Sequence, residues 1–144
     1  MSRSHILLVS AGACAALLLA CTNSLSPYGN LQGTWIQQES LPGFSLVITL
    51  RQSGAVVAGS GTYAGEVGPS GTVVVRGEVH APAGDTAGGP TIDLTLTFTQ
   101  SLPSAGSVEV QSFVGRLTST DQMVGSLAVD TLGAPALPVT FVHQ

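Results

Sequence analysis

The stretch Phe44-Ser45-Leu46-Val47-Ile48-Thr49-Leu50-Arg51-Gln52 decides the fold of this chain. Phe44, Leu46, Ile48 and Leu50 fall on one side of a two-residue period, and Ser45, Val47, Thr49 and Arg51 on the other. That alternation is what a strand shows when one face lies in a core and the other in water. Ser53-Gly54 follows as a turn. A helix needs apolar residues at three- and four-residue spacings, and from Leu31 to the end no such stripe runs long enough to make one.

The same period recurs on both sides of this strand, between clusters of Gly, Pro, Ser and Asp. Upstream lies Gly33 to Ser40, ended by a Leu41-Pro42-Gly43 turn. Downstream come Ala55 to Ala64, with Val57, Gly59, Gly61 and Tyr63 aligned, and Thr72 to His80, with Val73, Val75, Gly77 and Val79 opposite Arg76, Glu78 and His80. After a polar loop over 81–90, Thr91 to Thr99 alternates Ile92, Leu94, Leu96 and Phe98 with Asp93, Thr95 and Thr97. The sixth segment, Ser107 to Leu117, changes phase: Val108 and Val110 align with Ser112, whereas Phe113, Gly115 and Leu117 take the other parity. A β-bulge near Gln111-Ser112 would restore one apolar face. Met123 to Asp130 aligns Met123, Gly125, Leu127 and Val129. In Leu137 to His143, Val139 and Phe141 face in and Pro138 marks a strand start or an edge.

Eight strands joined mostly by short loops predict an all-β domain over residues 31–144, an eight-stranded antiparallel up-and-down barrel. A β-sandwich is the alternative. Glycines on the inward parity (Gly59, Gly61, Gly77, Gly115, Gly125) either let strands coil tightly or leave space for a ligand.

The N-terminal segment reads differently. Arg3 precedes an apolar run from Ile6 to Ala20, broken only by Ser10 and Gly12, which has the layout of a signal peptide. The run is shorter than the roughly 20 residues a membrane helix needs, and a Ser/Asn/Pro/Gly-rich stretch follows it. Leu18-Leu19-Ala20-Cys21 at its end resembles the lipobox of bacterial lipoproteins. That resemblance implies cleavage before Cys21, acylation of its sulfur and stable anchoring, since two or more acyl chains hold a membrane lastingly. An ordinary secretory signal with an incidental cysteine is the other reading. The expected organisation is therefore 1–20 signal peptide, 21–30 flexible tether and 31–144 barrel. Thr22 stands where an Asp would resemble an inner-membrane retention signal, so an exported, membrane-anchored lipoprotein is expected, on the outer membrane if the host is Gram-negative.

Composition supports export. Of the two cysteines, Cys14 lies in the segment to be removed, which leaves Cys21 without a disulfide partner. There is no lysine, and only Arg51, Arg76 and Arg116 remain against eight acids, so no basic footprint for nucleic acid exists. Charged residues make up 8% of the chain, against about 25% in ordinary globular proteins, and Thr, Ser, Gln and Gly must keep the surface wet.

Leu31-Gln32-Gly33-Thr34-Trp35 opens the first strand and resembles the Gly-x-Trp opening of lipocalins and the Gly-Thr-Trp opening of avidins, barrels of the calycin type whose Trp plugs one end. The last strand, however, ends Phe141-Val142-His143-Gln144 without the arginine that lipocalins stack on that Trp, and no C-terminal helix follows. With Trp35 as the only tryptophan, the avidins' biotin cage has no counterpart.

No catalytic constellation appears. Neither His80 nor His143 has a ligand-spaced His or Cys beside it, and Glu78 with His80 on one strand face reads as a solvated charged face. No serine sits in a Gly-x-Ser-x-Gly elbow, and Gly59-Ser60-Gly61 precedes no helix that could cradle phosphate. The expectation is a lipid-anchored cell-envelope protein with a non-enzymatic structural or interaction role, without a cofactor or metal and with no protein partner identifiable. Its alternative is a carrier of a small apolar ligand among Trp35, Phe44, Tyr63, Phe98, Phe113, Met123 and Phe141. A transmembrane barrel is disfavoured, because the few aromatics cannot supply two interfacial girdles.

Overall fold

The strands are β1 (Gly33–Gln38), β2 (Phe44–Ser53), β3 (Val56–Gly65), β4 (Ser70–His80), β5 (Thr91–Gln100), β6 (Val108–Ser119), β7 (Gln122–Val129) and β8 (Leu137–His143). The computed structural model describes residues 27–38, 43–66, 70–84, 88–100, 108–129 and 135–144. Each strand pairs antiparallel with its predecessor, and β8 returns to β1, so the sheet closes into an up-and-down barrel. The closing registers, Trp35↔His143 through Gln38↔Thr140, replace the sandwich alternative, because a sandwich would leave both strands as edges. Strand limits agree with the alternation to within two residues, except that Ser40, Leu41, Pro42, Ser107 and Asp130 lie outside the described residues.

Local chemistry sets the turns and the faces. In the β2–β3 hairpin, Gly54 (φ 61°) takes the first central position of a two-residue turn, where a primed turn matching the twist of the strands needs positive φ. Leu46, Ile48 and Leu50 are buried as their parity requires, and Pro138 sits at the start of β8 opposite Ser126. It is no edge residue, since the barrel has no edge.

The expected bulge near Gln111-Ser112 does not occur. β5 pairs with β6 without interruption from Thr91↔Arg116 to Thr99↔Val108, and the register shift lies between Leu117 and Ser119 against β7. The inward parity of β6 is therefore Glu109, Gln111, Phe113, Gly115 and Leu117 throughout, while Val110 and Val114 stand outside, 38% and 56% exposed. Valine suits a strand on either face, so its parity did not report the inside of the barrel.

Trp35, Phe113 and Phe141 are the largest fully buried side chains, and Phe113 meets Phe141 edge to face at 5.5 Å. Gly115 and Gly125 lie opposite each other in register, and a Cβ on Gly125 would come within 2.8 Å of the Phe113 ring tip and also strike the Val114 carbonyl oxygen. These glycines make room for the protein's own phenylalanine, not for a guest. Gly125→Ala should accordingly cost about 1–3 kcal/mol through overpacking, measured by urea unfolding. An unchanged midpoint would mean that the methyl group enters empty space.

Candidate functional site

One end of the barrel is sealed by a network built on Trp35. Its Nε1 donates to the Leu31 carbonyl (2.8 Å), the Leu31 N–H donates to Gln52 Oε1 (2.7 Å), and Gln52 Nε2 donates to the carbonyls of Gly29 (3.3 Å) and Gly54 (2.9 Å). The chain from Tyr28 to Leu31 is thereby strapped across the end, with Tyr28 packed against the core and Leu31 fully buried. Residues 28–30, expected in the tether, thus belong to the barrel's plug; residues 21–26, including the lipidation candidate Cys21, lie outside the described residues.

His143 completes the seal. Its ring meets Trp35 edge-on at 4.9 Å with an interplanar angle of 66°, and its Nε2 lies 3.2 Å from the Gln32 carbonyl oxygen. Gly33 carries φ 133°, and a Cβ there would run into the imidazole, so the Gly-x-Trp opening has a physical basis in this chain: the glycine admits the ring that packs on the tryptophan. The place that the lipocalin resemblance assigns to an arginine is thus filled by an imidazole from β8. Only the β1–β8 register could show this, because the two residues are far apart in sequence. A cleft of about 360 Å³ opens beside the seal, lined by Gly29, Asn30, Gln32, Leu117, Thr120, Asp121 and His143.

The seven candidate lining residues divide between the two halves of the barrel. Trp35, Phe113, Met123 and Phe141 fill the sealed half, where Met123 pairs with Phe141 across β7 and β8. Phe44, Tyr63 and Phe98 form an aromatic row in the other half, with successive centroids 6.0 Å and 5.1 Å apart, the second contact T-shaped. Phe44 is half-buried at its outer end.

Two glutamines that the sequence reading passed over also face inward. Gln37 follows Trp35 by two residues on β1 and is 8% exposed, yet neither its Nε2 nor its Oε1 has a hydrogen-bond partner. Gln111 precedes Phe113 by two on β6. Its Nε2 donates to Glu109 Oε1 (2.7 Å), while its Oε1 is buried and unpaired. Parity would have revealed Gln37; the supposed bulge concealed Gln111. A buried polar group without a partner costs about 1–3 kcal/mol, and such groups are rare enough to require a reason.

On the outer surface His80 Nε2 lies 2.9 Å from Asp93 Oδ2, both side chains about half exposed. Glu78 stands across from Asp93 in the β4–β5 register. This is a solvated pair of small energetic weight. Among the described residues no three His, Cys, Asp or Glu side chains gather where they could hold a metal ion.

Fold and site together define an eight-stranded antiparallel barrel closed at one end by a Trp–His plug, in keeping with a lipocalin-like architecture. No family model, curated protein or solved structure matches the chain.

Trp35→Ala would empty the centre of the plug and remove the indole N–H that donates to the Leu31 carbonyl. A loss of about 3–5 kcal/mol is expected, as for a large aromatic in a core, measured by chemical denaturation. The wild-type tryptophan should emit as an indole shielded from water, and a loss below about 1 kcal/mol would contradict the plug.

Proposed function

We propose that this protein is an exported, lipid-anchored component of the cell envelope with a non-enzymatic structural or interaction role, tethered through Cys21 and carrying a calycin-type barrel. The observation that carries the reading is Leu18-Leu19-Ala20-Cys21 at the end of an apolar run that is too short to span a bilayer. The fold adds a direction. The described chain enters the barrel through the strap Tyr28–Leu31 at the sealed end, so an anchor at Cys21 would hold that end nearest the bilayer and turn the other mouth away. Thr22 favours the outer membrane in a Gram-negative host. The buried Trp35 behind Gly33-Thr34 supports the calycin reading.

A second reading, an interior ligand, is favoured by one observation, the unpaired amide of Gln37 together with the unpaired Oε1 of Gln111. It belongs to the half of the barrel away from the plug.

Cys21→Ala tests the anchor. The variant should lose fatty-acid labelling in its host and accumulate as unprocessed precursor. Labelling as strong as in the wild type would refute the assignment.

A further inference from the structure

We propose that the half of the barrel away from Trp35 binds a small neutral molecule that carries a carboxamide on an apolar ring-sized body. Gln37 and Gln111 would be its polar partners, and Phe44, Tyr63 and Phe98 its apolar wall. The inference rests on the ligand reading and the barrel, and is independent of the lipid anchor.

Gln37 supplies the first part of the argument. Leucine would fill nearly the same volume at this position without any polar group to satisfy, and the neighbouring inward positions of the barrel are apolar throughout: Trp35 before it on β1, Leu46 and Ile48 on β2, and Phe141 opposite on β8. An amide here weakens the fold unless something outside the chain meets it. Departures of this kind from local consistency collect at functional sites.

Gln111 supplies the second. It stands on β6, on the other side of the barrel by way of β8 and β7, and an eight-stranded barrel is narrow enough for side chains from facing walls to share its interior. Glu109 holds the Gln111 Nε2 at 2.7 Å, which fixes the amide and leaves its Oε1 as a free buried acceptor. The unmet groups are therefore one amide donor group, Gln37 Nε2, and two acceptors, Gln37 Oε1 and Gln111 Oε1.

A primary carboxamide answers all three. Its carbonyl accepts from Gln37 Nε2, and its two N–H groups donate to the two glutamine oxygens. A carboxylate has no donor to offer, and the Glu109 carboxylate beside Gln111 repels it. An alcohol has one donor for two acceptors. The row Phe44–Tyr63–Phe98 offers ring faces and edges at ordinary stacking distances to a flat apolar body.

The probes are benzamide and methyl benzoate, which share a ring and a carbonyl but differ in the N–H donors. The full chain in detergent micelles is titrated with each, following the side-chain amide resonances of Gln37 and Gln111. Benzamide should shift both resonances and bind at least about tenfold more tightly than the ester; Gln111→Leu should remove about a tenfold factor, the equivalent of one hydrogen bond, and Gln37→Leu, which loses two, about a hundredfold. Without any probe, Gln37→Leu should melt about 2–5 °C higher than the wild type. Equal binding of the two probes would overturn the amide assignment while leaving an interior ligand standing. No binding of either would remove both. A lower melting temperature for Gln37→Leu would show that the amide is already paired, and would overturn the proposal. None of these outcomes bears on fatty-acid labelling at Cys21.

Discussion

The structure depends on the closure of β1 onto β8, which the contact between Trp35 and His143 holds at the barrel's end. Without that pairing the sheet would keep two open edges and the inner face of β1 would lose its cover. The closure is also non-local: the hydrogen bond from the His143 ring to the Gln32 carbonyl joins residues 111 positions apart. No cysteine follows Cys21 in the sequence, so no disulfide secures this junction. Packing and hydrogen bonds do the whole of it, which explains why so many of them converge there. The tryptophan indole, the glutamine at position 52, the strap of Tyr28 to Leu31 and the positive-φ glycine at position 33 all serve one seam.

The two halves of the barrel obey different rules. Around the plug every inward group among the described residues is either apolar or bonded, and glycines are used to seat Phe113. The aromatic row in the other half shares the interior with one amide, Gln37, that has no partner and another, Gln111, whose oxygen has none. Because burying unpaired amides works against folding, the contrast within one barrel is more informative than either half alone. The sealed half supplies stability, and the other half departs from what stability favours. A reading of the interior as uniform filler explains the first half and leaves the second without a cause.

The outer surface is consistent with a protein whose exposed faces are neutral. Threonine, serine and glutamine take about half of the outward strand positions, valines stand exposed at 56, 74, 110, 114 and 124, and the described ion pair, His80 with Asp93, is open to solvent. Residues of this kind give the sheet β-propensity on its wet face without charge. They also blurred one inference, because exposed valines in β6 imitated an inward face.

What the sequence by itself determined is local. Alternation along each strand settled the number of strands, nearly all of their limits and the burial of Leu46, Ile48 and Leu50, because a two-residue period needs only a strand and its own neighbours to be meaningful; the role expected of Trp35 came from the resemblance of Gly33-Thr34-Trp35 to a lipocalin or avidin opening. Tertiary structure decided whatever depends on which strands face one another. It chose a barrel over a sandwich, put His143 where an arginine was looked for, found Asp93 as the partner of His80, and kept β6 in phase and so turned Gln111 inward. The physical reason is that a side chain's parity says which face it takes but not what that face will meet. The partner comes from a register formed across the closed sheet, and in a barrel the last strand must find the first before any of those meetings exist.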